Sequence, residues 1–556
     1  MRDGSMRPPL RSMLRSLRAE LHGRDAKAGL PQTNASAPAP RDRIAMEQRP
    51  RVPGMLRVSF LTLAFVFLYL VLFMWPHVPL LAWGDQAIYL LDAARMARGQ
   101  TIYRDFFAFT TPGTQTVYFL LFKLFGVRAW IPDAMLIVLG LGVAWLCVVI
   151  SARLMAGFSV VLPALLFLSL PFHEALDGTH HWYSTLAIMA ALAVLLDKRS
   201  PARLTLTGSL CGLAACFTQS AGLPVLGIAA FLVWEHRRNR GALSSLLRQQ
   251  AQLFGAFFIT IITFCAYFVW KAGLANFYYC TVFFVFKFYP ADSFNTWRVY
   301  MTEIQRPHSL NDVASLAIFF FVHALLPMIY ILFFVRYRWQ ARDRPREAWD
   351  RLMLVGLVGS FLFLSIAPSP SYRRLCAVSP PALILLVWFV GYPAKVERLA
   401  LSCLWVAALG AFIVEPLARQ TGWRAYLHLP TGRTAFIGAQ DFEEDRWVFE
   451  RVHPREHFFG DPGMCFTLDL TPAGPVDFIR PTDYTRPEQV RDLLDALEQH
   501  QVRLIMWYSG LDAPAAHDHL GPLRAYLRLR YHMTKTFPSG HQFWLRNENG
   551  QTPRPF

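Results

Sequence analysis

The chain has 556 residues, 54% hydrophobic and only 17% charged, with a mean hydropathy of +0.29. A soluble domain is about a quarter charged, so this balance excludes an ordinary globular enzyme and points to the membrane. The formal net charge of +17 is scattered between apolar runs, a pattern of membrane topology rather than of a nucleic-acid-binding stripe.

Residues 1–57 read as a disordered, basic cytoplasmic arm, although "LRSMLRSLRAEL" could also form a basic amphipathic helix on anionic lipid. Candidate membrane spans follow near 58–75, 130–150, 156–172, 182–196, 203–217, 221–234, 252–271, 313–335, 352–367, 374–391 and 399–416. "GTQTVYFLLFKLFG" at 113–126 is too short to cross comfortably and fits a re-entrant or interfacial helix. With that segment left out, Arg153, "DKRSPAR", "EHRRNRG", "RYRWQARDRPREAWDR" and "AKVER" all fall on one face. By the positive-inside rule that face is cytoplasmic. The expected fold is a polytopic α-helical membrane protein of about eleven transmembrane helices, over 58–418, with the N-terminus inside. Its first outer loop, 76–129, carries amphipathic helices.

From 419 to 556 the pattern changes. Short apolar runs ("TAFIGA", "MCFTLDL", "VRLIMWYS") alternate with helical stretches ("FEEDRWVFERV", "PEQVRDLLDALEQH"), the signature of a small α/β domain. By the topology above it is extracytoplasmic. "FGDPGMCF" lacks GxGxxG spacing, which disfavours nucleotide binding there. The eight cysteines show no CxxC or zinc-type spacing, so neither a disulfide framework nor a structural metal is expected.

The first outer loop carries the chemistry. In "DQAIYLLDAARMAR", Ala87, Leu90, Leu91, Ala94 and Ala97 recur at helical spacing, which predicts an amphipathic helix along the outer membrane surface. Asp85, after Gly84, reads as an ordinary N-cap or as a functional carboxylate at the mouth of the first span, and the two roles are compatible. "HEALDGTHH" gathers Glu174, Asp177, His180 and His181 between two spans. It reads as a turn with a helix start, or as the source of an acid facing Asp85. Adjacent histidines are a poor metal pair.

The plan of a first span, a loop reading "GDQAIY…ARG…YRDF…TPG", many further spans and a C-terminal domain resembles the GT-C fold membrane glycosyltransferases that use polyprenyl-phosphate sugars. Aminoarabinose transferases and protein mannosyltransferases belong to that superfamily. The resemblance covers most of the chain as architecture, and its sequence signature lies in the first loop. It implies an inverting single displacement at the outer face of a bacterial inner membrane. The donor would be a polyprenyl-phosphate-linked sugar, with membrane lipids as surroundings and a glycan, lipid or protein as acceptor. The acceptor needs a base, for which Asp85 is the candidate, with Glu174 and Asp177 as further acids. The departing phosphate needs cations. Tyr372, Arg373 and Arg374 in "SPSYRR" are similar to the family's late Tyr/basic segment, and Arg373 is the candidate phosphate clamp. An arginine there could equally snorkel to the interface. Tyr89, Arg104 and Lys287 complete the candidate substrate-binding set. The family usually shows an acidic pair where this chain reads Asp85-Gln86, so a divalent metal is an open expectation. The alternative function is a transporter or flippase for a lipid-linked sugar, against which stand the missing internal repeat and the gathering of charge in loops.

Overall fold

A computed structural model describes residues 54–80, 84–303, 311–340, 346–391 and 395–547. The basic arm, apart from its last residues, and its "LRSMLRSLRAEL" segment lie outside these residues. Helix α1 (Gly54–Leu72) leads into a two-strand turn, β1 (Phe73–Met74) and β2 (Val78–Pro79). Helices α2 (Gln86–Ala97) and α3 (Gly113–Phe125) complete the first loop. The helical body continues through α4 (Trp130–Ser151), α5 (Leu162–Phe172), α6 (His180–Leu195), α7 (Pro201–Phe217), α8 (Pro224–Asn239) and α9 (Leu243–Ala272). It ends with α10 (Leu316–Gln340), α11 (Arg346–Leu364), α12 (Pro380–Val390) and α13 (Lys395–Thr421).

Each expected span therefore carries a helix. Among the described residues α1, α4, α9, α10 and α13 are long and apolar enough to cross a membrane, while α5 and α12 are shorter apolar helices. The protein is a multi-pass membrane protein. Small residues let its helices approach closely. Gly208 and Gly212 lie one turn apart on α7, and a Cβ there would stand 2.2 Å from the Leu253 carbonyl oxygen and 2.6 Å from that of Phe257 on α9.

The C-terminal region forms a hairpin, β3 (Ala425–Leu429) with β4 (Gly432–Phe436), and a five-stranded sheet. The sheet contains β5 (His457–Phe459), β6 (Thr471–Pro472), β7 (Leu504–Tyr508), β8 (Tyr531–Thr536) and β9 (His541–Arg546), in the order β6-β5-β7-β9-β8. Strand β5 pairs in parallel with β6 and β7, and β9 runs antiparallel to β7 and β8. The centre of the sheet, at β5 and β7, is buried on both faces, while the edge strand β8 is largely exposed. Phe458, Leu504, Met506 and Phe543 join one core, while Phe459, Ile505, Trp507 and Tyr531 join the other. That explains why β7 reads as an unbroken apolar run rather than an alternation. The packed helices include α14 (Ala439–Phe449), α15 (Pro462–Thr467), α16 (Pro487–Gln499) and α17 (Gly521–Arg530).

Two expectations are corrected. The "MCFTLDL" segment begins inside α15, not in a strand. Asp461 Oδ1 accepts the Gly463 and Met464 amide N–H groups at 2.7 and 3.2 Å, and Pro462 opens the helix. Helix α2 does not lie on lipid. Tyr89, Leu90, Ala93 and Ala94 pack into the helical body, while Leu91 joins the core beneath the sheet. Its charged face is also covered. Arg95 donates two bonds to Asp477, at 2.8 and 3.1 Å, and one to the Gly474 carbonyl at 3.2 Å. Arg98 pairs with Asp469, and the Phe107 N–H donates to the Pro475 carbonyl at 2.9 Å. The half-apolar, half-charged composition of α2 thus serves a joint between the helical body and the C-terminal sheet.

Candidate active site

The loops at one end of the helices and the β6–α16 connection enclose a cavity of about 330 Å³. This is within the size range of small-ligand sites. Asp85, Tyr89, Asp177, Arg373 and Arg374 all line it.

The local folding around Asp85 differs from ordinary capping. Asp85 precedes α2 in helical conformation, and its side chain makes no capping bond. Asp177, from the loop before α6, does that work. Its Oδ2 accepts the Asp85 N–H at 3.1 Å and its Oδ1 the Gln86 N–H at 2.8 Å. The positive end of α2 is thereby satisfied from a distant loop, and the exposed Asp85 carboxylate is left to the cavity. Gln86 fixes the same loop from the other side, its Oε1 accepting the Gly178 N–H at 2.8 Å.

Gly84 makes this convergence fit. A Cβ there would meet Asp177 Oδ2 at 2.6 Å and Arg373 Nη1 at 3.0 Å. Arg373 Nη1 approaches Asp177 Oδ2 at 3.4 Å while its side chain stays 59% exposed. Burial and the neighbouring Asp85 charge push the Asp177 carboxyl up to about 7, against the pull of Arg373 and the two amide N–H groups. Arg374 is held differently, donating to the Tyr289 hydroxyl at 2.6 Å and to the Ser369 carbonyl at 2.9 Å. The Tyr89 hydroxyl is hydrogen-bonded to His180 Nδ1. Burial, with Asp477 close by, pushes Asp92 well above the usual carboxylate range.

Other candidates lie elsewhere. Glu174 sits beside His173, Glu415, Tyr372 and Arg419, off the cavity wall. The Tyr372 ring stacks on Phe319 with centroids 5.0 Å apart, and its N–H donates to Glu303 at 2.6 Å. Arg104 is paired with its neighbour Asp105 at 2.8 Å and faces solvent. Lys287 lies over the rings of Phe283 and Phe288.

Several lining residues escaped the sequence reading. Asp292 and Arg480 form an ion pair at 3.0 Å across the wall, and Glu303 also lines it. Arg480 comes from the C-terminal region, about 190 residues from its partner, and no local motif announces it.

The donor set does not suit a divalent metal. Asp177 already accepts two amide N–H groups and faces Arg373, and the second position of an acidic pair is Gln86. Among the described residues no group of three or more His, Cys, Asp or Glu is placed to hold a metal ion.

No protein-family model and no curated protein matches the sequence. The structure is similar to the crystal structure of apo ArnT, an aminoarabinose transferase from Cupriavidus metallidurans, with a TM-score of 0.55 at 14% identity. That match covers 89% of this chain and 99% of ArnT. A further similarity is to the oligosaccharyltransferase AglB of Archaeoglobus fulgidus, in complex with an inhibitory peptide and a dolichol-phosphate. Its TM-score is 0.48 at 12% identity, covering 90% of this chain and 75% of AglB. The likeness to ArnT establishes architecture: the chain has the GT-C fold.

Proposed function

We propose that the protein is an inverting glycosyltransferase that moves a sugar from a polyprenyl-phosphate donor to an acceptor at the extracytoplasmic face of a bacterial inner membrane. In this reading α1–α13 form the membrane domain with eleven spans, and the residues from about 419 onward form the extracytoplasmic α/β domain. One observation carries it. A carboxylate released from helix capping, Asp85, shares a cavity with the exposed guanidinium of Arg373 in a chain of GT-C fold.

The chemistry follows from the groups present. The acceptor oxygen or nitrogen attacks the anomeric carbon as Asp85 takes its proton. The bond from that carbon to the phosphate oxygen breaks, and the phosphate leaves with the bonding electron pair. Arg373 meets the growing negative charge, and Arg374, anchored by Tyr289 and Ser369, supplies a second positive group on the same wall. Asp177 is a positioning residue: it seats the start of α2 and faces Arg373. One displacement inverts the anomeric centre. Acceptor choice belongs to the loops and the C-terminal region, which supplies Phe478, Arg480 and Tyr484 to the wall.

Asp85→Asn tests the reading in membranes supplied with radiolabelled polyprenyl-phosphate sugar. Transfer is expected to fall on the order of 10²–10⁴-fold, with normal expression and thermal stability because the carboxylate caps nothing. Undiminished transfer removes Asp85 from the mechanism. Donor translocation without any transferred product favours the flippase instead.

A further inference from the structure

Three long helices have neighbouring ends off the wall of the first cavity: α1 at Leu72, α4 beginning at Trp130, and α13 at Thr421. Gln420, in the last turn of α13, ties the ends together. It accepts the Trp75 N–H at 3.1 Å and donates to the Leu70 and Phe73 carbonyls at 2.7 Å each. Each end carries an exposed indole: Trp75 is 72% exposed, Trp130 39% and Trp423 50%. Tryptophan at the ends of apolar helices marks the headgroup level of a bilayer. Alongside, α3 turns Leu120, Leu124 and Phe125 outward.

Between these ends lies a second cavity, of about 420 Å³, walled by the β1–β2 turn, the start of α4 and the β3–β4 turn. Its basic side chains are His77, Arg128 and Arg433, all exposed, and no carboxylate among the described residues lines it. The acid in the first turn of α4, Asp133, is buried and lies off this wall. The Arg433 guanidinium rests over the Tyr426 ring at 4.7 Å, a contact that orients it without neutralising it. Helix α4 has 22 residues and no side-chain cap, so its partial positive end adds to the same field. The cavity thus combines cations, no acid and an adjoining apolar surface at headgroup height.

We propose that this cavity binds the headgroup of an anionic phospholipid, with Arg128 and Arg433 on the phosphate and the acyl chains against the outward face of α3. A lipid matches both halves of the site, whereas a soluble anion matches only the charge, which salt screens. The inference is independent of the transferase reading.

The test uses full-length protein, purified in detergent and delipidated. Native mass spectrometry compares retention of phosphatidylglycerol with that of phosphatidylcholine of the same chain length. Wild type is expected to prefer phosphatidylglycerol. The R128Q/R433Q variant is expected to lose at least tenfold of that retention, about fivefold per charge removed, with phosphatidylcholine unchanged. The R128K/R433K variant is expected to keep most of it, and millimolar glycerol 3-phosphate not to displace the lipid. A wild type without preference overturns the proposal, as does a glutamine pair that retains phosphatidylglycerol normally or loses both lipids alike. Full displacement by glycerol 3-phosphate assigns the site to a soluble anion and overturns it too. If the glutamine pair does not fold, the wild-type preference and the lysine pair decide.

Discussion

Arg95 and Asp477 are 382 positions apart in sequence and only 3% and 6% exposed at their side chains. Arg95 makes two bonds to Asp477 and donates to the Gly474 carbonyl and to Gln100 at 2.7 Å. Its guanidinium also lies 4.5 Å from the Phe106 ring centroid. Replacing it by Met keeps the stem but strands a buried carboxylate and a carbonyl. Breaking one side of a buried pair costs about 3–5 kcal/mol, so the joint between α2 and the β6–α16 connection should open roughly 10²–10⁴ times more often. Hydrogen exchange reads this directly, because the Phe107 N–H bonded to Pro475 crosses the joint. Peptides spanning 100–110 and 470–480 should lose protection by that factor in Arg95→Met, while peptides within α4 and α9 should not change. Asp477→Asn should loosen the same peptides, and the double variant should be less than additive. Unchanged protection at Phe107 in Arg95→Met would refute the view that this pair holds the two parts together.

Other consequences are equally measurable. Gly84→Ala places a methyl where Asp177 and Arg373 converge, so transfer should fall at least about tenfold, and unaltered kinetics would contradict the proposed crowding. Asp177 holds its proton more tightly in the folded state, up to about 7, than the roughly 3.9 of an unfolded aspartate. The native state therefore binds more protons between those values, and stability from this group is full below about pH 4 and falls as pH rises to 7. The loss is roughly 4 kcal/mol at most. The thermal midpoint of wild type relative to Asp177→Asn should drop between pH 4.5 and 7 and then run parallel, and a constant difference across that range would reject the shifted carboxyl.

The helical body was legible because lipid demands long apolar runs, and a helix stands at each expected position. The short segment at 113–126 was also recognisable, since Lys123 and its length set it apart from the spans. What local pattern could not reveal is who covers whom. Asp92 and Arg95 look like the solvated side of α2, yet both are buried, because Gln115 of α3 bonds the first and Asp477 the second. Asp85 looks like a cap by the company of Gly84, but the cap comes from Asp177, 92 positions later. Arg104 and Lys287 stand beside Arg373 among the substrate-binding candidates, although of the three only Arg373 is singled out by the family resemblance. Only tertiary structure separates a cation paired with its neighbour or laid on aromatic rings from one facing a cavity. In "MCFTLDL" the apolar run outweighed the Asp461-Pro462 start signal just before it.

Val476, Asp477, Phe478 and Arg480 leave the sheet just beyond β6 and also wall the candidate-site cavity. Seating of the sheet and width of the cavity therefore depend on the same residues. A molecule that fills the cavity and touches this wall clamps the sheet to the helices, and whatever loosens the sheet widens the doorway. Occupancy and rigidity rise and fall together in such an arrangement, without any hinge being required.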